Sequence, residues 1–141
     1  MADLESLIRL RRHKVEEKQK VLADIYREAE IHEGQKMELQ ERLDRERAAI
    51  DDNLDLETRE FYGRFRGVIL EKIDKLNAEL AALETRLNLA QEEVRAAFAD
   101  MKRVEIVNDR RNEEERQAII ARESAELDDI GIEGFRRKEE F

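Results

Sequence analysis

Over the first fifty residues, apolar side chains return at every seventh position. With heptad position a at Ile8, the a positions read Met1, Ile8, Val15, Leu22, Ala29, Lys36, Leu43 and Ile50, seven of eight apolar. The d positions read Leu4, Arg11, Lys18, Ile25, His32, Leu39 and Glu46, and only three of seven are apolar. One full stripe beside one frayed stripe predicts an amphipathic helix over 3–50. Gly34 interrupts it at a cost of up to about 1 kcal/mol relative to Ala, and the strong helix formers around it carry the helix through. The segment from Asp51 to Thr58 then holds four acids and no base. Asp and Asn compete with the backbone for hydrogen bonds and favour turns and N-caps, so a turn is predicted over 51–60.

The stripe resumes in cleaner form. Ile69, Ile73, Leu76, Leu80, Leu83, Leu87, Ala90, Val94, Ala97, Met101 and Val104 keep a 3-4 spacing without an error, a coiled-coil pattern. Beyond Val107 the seam positions turn polar, at Asn108, Arg111 and Glu115. If the chain doubles back near residue 55, residue n of the first helix faces roughly residue 111 − n of the second, in a hairpin about 75 Å long at 1.5 Å per residue. The first helix then ends where the clean seam ends. The expected fold is all-α: a single domain, a long antiparallel two-helix coiled-coil hairpin with a projecting C-terminal helix end. The second helix is expected over 61–130. Its end from residue 108 has no cover of its own, and Ala118, Ile119, Ile120, Ala121, Leu127 and Ile130 are apolar there. Such residues on a bare helix are candidates for binding a partner. Gly131 is the expected helix stop, with a loose tail over 131–141.

Composition narrows the alternatives. Of 141 residues, 45% are charged and 40% apolar, and there is no Pro, Cys or Trp. An ordinary globular domain carries roughly 25% charge, so a sandwich, a barrel or a sheet-centred enzyme is not expected. Helical periodicity argues against disorder, which low hydropathy alone would allow. The net charge of −9 argues against a dedicated nucleic-acid binder. The start lacks the pattern of a secretion signal, and no apolar run approaches the roughly 20 residues of a membrane span. A soluble protein, monomeric and without direct membrane insertion, is expected, and the absence of Cys is consistent with the cytosol.

The chain offers little chemistry. His13 and His32 would lie about 28 Å apart on one helix, too far to share a metal, and His32 falls on the weak d stripe as a polar seam residue. Asp51-x-Asn53-x-Asp55 imitates the start of a calcium loop. Such a loop needs Gly at its sixth position and Glu at its twelfth, where this chain has Leu56 and Tyr62. Gly63 and Gly67 lie beside Arg64 and Arg66 rather than in an apolar span. No catalytic residue, metal ligand or cofactor site is expected, so the chain is not expected to be an enzyme. Two features remain open. Arg9, Arg11 and Arg12, with His13 and Lys14, form either a solvated face with pairs such as Arg12 to Glu16 or a docking patch for an acidic partner. Phe61, Tyr62 and Phe65, three of seven aromatics, either seal the hairpin tip or contact a partner there.

Three segments in this order resemble the flagellar export FliJ family. They are the opening Leu4-Glu5-Ser6-Leu7-Ile8-Arg9-Leu10-Arg11, the mid-chain Tyr62, Phe65 and Leu70-Glu71-Lys72-Ile73, and the closing Leu127-Asp128-Asp129-Ile130 followed by Arg136-Arg137-Lys138. The departure is Asp129, where the family more often has Glu; the charge is kept. The resemblance spans nearly the whole chain. It implies an antiparallel coiled coil similar to the central stalk of rotary ATPases. It also implies that the protein acts at a hexameric export ATPase, promotes its ring assembly and activity, and contacts the membrane export gate and substrate-escort chaperones. Through its closing motif Asp128 joins Ile119, Ile120, Leu127 and Ile130 as a candidate contact. The location implied is the cytoplasmic side of the export apparatus at the inner membrane. The competing reading is a generic coiled-coil scaffold or dimerisation module unrelated to secretion.

Overall fold

The computed structural model describes residues 4–51 and 55–139. Two long helices, α1 (Leu4–Asp51) and α2 (Leu56–Glu139), pack against each other as a helical hairpin. The heptads explain the pairing. Every a and d position of α1 from Leu4 to Leu43 is at least partly buried, including the polar Arg11, Lys18, His32 and Lys36, while Glu46 is exposed. All eleven α2 seam positions from Ile69 to Val104 are buried or partly buried. The chain's packing falls into two units. One is 14–97, and the other joins the residues up to His13 with those from Phe98 onward.

In unit 14–97 the core is a single seam. Val15 and Ile25 of α1 and Ile69, Ile73, Leu83, Ala90 and Ala97 of α2 are buried, Ile69 to 2% exposure. Ile25, Leu83 and Ala90 form a cluster lined by Leu22, Ala29 and Leu87. Burying a Leu or Ile side chain stabilises by about 1.5–3 kcal/mol, and Ile25, Ile69, Ile73 and Leu83 are the buried residues of that size in this seam. Lys18 and His32 on the frayed stripe meet acids of the opposite helix. Lys18 Nζ donates to Glu93 Oε2 at 3.1 Å. His32 Nε2 lies 2.7 Å from Glu79 Oε2, and its Nδ1 lies 2.8 Å from the Glu28 carbonyl oxygen. Both cross-helix pairs fall on the expected register. Gln91 Nε2 donating to Tyr26 Oη at 3.1 Å and Arg86 Nη1 with Glu28 Oε2 at 3.5 Å lie a few residues off it.

Helix α2 starts earlier than expected. α1 reaches Asp51 and α2 begins at Leu56, because Asp55 caps the second helix. Its Oδ1 accepts from the Glu57 N–H at 3.2 Å, its Oδ2 from Thr58 Oγ1 at 3.3 Å and its carbonyl from the Arg59 N–H at 3.1 Å. The first satisfies a backbone donor that a helix start leaves open and the last is the first bond of the helix itself, so helix replaces turn over 56–60. Residues 52–54, and with them Asn53 of the calcium-like run, lie outside the described residues, as do residues 1–3, Met1 of the stripe among them, and 140–141.

In the other unit, Leu4, Leu7, Ile8 and Arg11 of α1 are partly buried, with Met101 buried and Val104 and Asn108 partly buried on α2. From Asp109 to Lys138 every residue is exposed. α2 does not stop at Gly131. It continues through Gly131 and Gly134 to Glu139, and no glycine takes the positive φ of a helix-ending cap. Arg136, Arg137 and Lys138 in the last turn complement the helix dipole. The expected loose tail over 131–141 is therefore helical as far as Glu139, and residues 140 and 141 lie outside the described residues.

Candidate partner-binding site

The structure sorts the candidate residues into three places. The first is the end of α2. Its helix presents Ile119 and Ile120 half-exposed and Leu127 and Ile130 at 68% and 65% exposure, with Asp128 exposed beside them. Ile132 and Phe135 are exposed on the same helix. Both lie beyond Gly131, the helix stop that the sequence predicts. The available signal was spacing, since Leu127, Gly131 and Phe135 recur every fourth residue. Glu113 accepts from Arg116 Nη2 at 2.9 Å and from Gln117 Nε2 at 3.1 Å. The Gln117 and Arg116 hydrogen bonds, in that order, hold the Glu113 carboxyl below the usual range.

The second place is the start of α1. Arg9 and Arg12 are exposed, whereas Arg11 is partly buried on the seam, with a buried Nε that has no hydrogen-bond partner. Arg12 does not pair with Glu16 along its own helix. Its Nη2 reaches across to Glu105 Oε1 at 3.6 Å, and Lys102 Nζ donates to Glu105 Oε2 at 3.0 Å. Antiparallel packing brings Glu105 to this face, so the cross-helix acid takes the guanidinium. The Lys102 hydrogen bond, then the positive charges of Lys102 and Arg12, depress the Glu105 carboxyl below the ordinary range.

The third place is the tip. Tyr62 and Phe65 are partly buried and extend the α2 seam below Ile69, and the Arg42 guanidinium lies 5.1 Å from the centre of the Phe65 ring. Phe65 thus carries a cation over its ring. Phe61 points outward at 66% exposure. Each of the three candidate groups belongs to its own stretch of helix. Among the described residues there is no group of three or more His, Asp or Glu placed to hold a metal. No helix among them is long and apolar enough to cross a membrane.

A paired seam, cross-helix ion pairs and a bare terminal helix define a two-helix coiled-coil protein. The particular family follows from comparison: the model of the flagellar FliJ protein family matches residues 1–140, and the chain belongs to that family. FliJ proteins are non-catalytic components of the flagellar export apparatus. No curated protein and no solved structure matches the chain.

Proposed function

We propose that this protein is the stalk-like chaperone of the flagellar type III export apparatus, binding the hexameric export ATPase through the bare end of α2 and promoting its ring assembly and activity. It works in the cytoplasm, at the export apparatus on the inner membrane, and links the ATPase to the export gate and to the chaperones that escort export substrates. The observation that carries this reading is the abrupt loss of cover after Asn108, with Ile119, Ile120, Leu127 and Ile130 left in solvent. Large apolar side chains gathered on an unpaired helix favour a groove on another protein. Family membership supplies the setting in which that groove is sought.

The hairpin acts as the handle for this end. Its seam is filled by its own two helices; Leu10, Ile31 and Leu89 are exposed there too, but beyond Asn108 the whole helix is uncovered. Arg9, Arg11 and Arg12 at the start of α1, and Phe61 at the tip, are secondary contacts for the gate or the escort chaperones. The test is a pull-down with the cognate export ATPase followed by a hydrolysis assay. Replacing Ile119, Ile120 and Leu127 together by Ser is expected to leave helical content within about a tenth of wild type. Binding should weaken by about tenfold or more, since each buried apolar side chain contributes more than 1 kcal/mol. Unchanged binding and unchanged stimulation of hydrolysis would remove the end of α2 from the mechanism.

A further inference from the structure

The bare end of α2 has a charge pattern as well as an apolar one. At 3.6 residues per turn, Ile119, Ile120, Leu127, Ile130, Gly131, Gly134 and Phe135 fall within roughly 160° of the helix circumference. This face is turned roughly 100° from the line of Ala97, Met101, Val104 and Asn108 on the same helix. A helix prolonging the track of α1 would therefore not cover it. Nothing lies within 4 Å of the Cβ position at Gly131 or Gly134, so both leave backbone open along the face.

Along the same stretch, residues 123–133 hold Glu123, Glu126, Asp128, Asp129 and Glu133 and no base; Glu126 and Asp128 border the apolar face, Glu123 falls within its arc and Asp129 on its far side. All five are exposed, and none is in an ion pair among the described residues. The hairpin differs, since Lys18, Arg12, Arg86 and His32 each meet an acid of the opposite helix. Glu123 with Glu126, Glu126 with Asp129, and Asp129 with Glu133 are like charges at i,i+3 and i,i+4, a spacing that destabilises a free helix. A second copy of this end would add to the repulsion, whether parallel or antiparallel about this segment. A basic surface would relieve it.

We propose that the end of α2 docks into an apolar groove on a partner protein whose rim carries lysine or arginine opposite residues 123–133. This deepens, and rests on, the reading of α2 as the docking end. The basic rim steers association and fixes direction, because Arg136, Arg137 and Lys138 beyond the acidic stretch demand a rim of opposite sign at that end.

The test uses the full chain and two synthetic helical peptides with the same leucine stripe, one flanked by lysine and the other by glutamate. Fluorescence anisotropy is expected to show the lysine-flanked peptide binding about tenfold or more tightly, with the preference shrinking as salt rises. The preference should be lost in the variant E123Q/E126Q/D128N/D129N/E133Q, and binding itself in I119S/I120S/L127S. Equal binding of the two peptides, or a preference that survives in the neutralised variant, would overturn the proposal. A parallel titration with the export ATPase separates the two claims. Wild-type chain that fails to bind the ATPase, while the peptide preference holds, defeats the ATPase reading alone. Neutralised chain that binds the ATPase as wild type does defeats the basic rim alone.

Discussion

Individual side chains differ in what they hold. Ile69 is fully enclosed, and truncating it leaves a cavity that two helices cannot close. Ile69→Ala is therefore expected to cost about 2–5 kcal/mol, read as a lower denaturant midpoint. Leu127→Ala, at a side chain already in water, should shift that midpoint by no more than about 0.5 kcal/mol. Glu105 makes the opposite kind of contribution, since its carboxylate is held ionised by Lys102 first and then by Arg12. A carboxyl depressed in the folded state stabilises above its unfolded value, and that stabilisation is lost as pH falls through the folded value. Glu105→Gln should thus lower the melting temperature slightly at neutral pH, and the gap to wild type should close in acid. A gap that widened on acidification would contradict the assignment.

For the helices, the sequence was most informative where one period ran without interruption. The α2 stripe from Ile69 to Val104 named the buried face residue by residue, because a seam needs an apolar side chain in every layer. The frayed α1 stripe was legible too. Arg11, Lys18, His32 and Lys36 stay on the seam because their neighbours at a and d hold the helix in register, and Glu93 and Glu79 reach over from α2 to two of them. Helix ends were harder to read. Asp55 turned a run of acids into a cap, and Gly131 was passed over because a glycine ends a helix only when the chain takes up a left-handed turn there. Gly34 lies in the same class, with a straight helix through it and open space where its Cβ would be. Gly34→Ala should stabilise the chain by about 0.5–1 kcal/mol, as a higher thermal midpoint with unchanged ATPase binding.

For the whole molecule, the fold-back followed from matching lengths of apolar stripe. The bare end was legible as well, because the polar residues from Asn108 to Gln117 leave nothing for α1 to cover. The partner was not legible in the same way. Periodicity reports that a face is apolar, and charge reports what would neutralise it, but the proposed ATPase partner rests on what the family resemblance implies. The same limit explains why Arg9, Arg12 and Phe61 stayed ambiguous: exposed side chains obey no packing rule that would assign them. An unpaired helix is marginal in water, so the end of α2 is expected to firm up when a partner covers it.

That expectation yields the most direct measurement. Amide hydrogen exchange should be recorded along the chain, alone and with the export ATPase. Alone, amides of the paired seam, such as those around Ile25 and Leu83, should exchange at least about a hundredfold more slowly than those from Asp109 to Lys138, reflecting the free energy of packing. With the ATPase, new protection should appear over 118–135 and leave the seam unchanged. Protection already strong across 109–138 in the free chain, or new protection confined to the hairpin, would contradict the account.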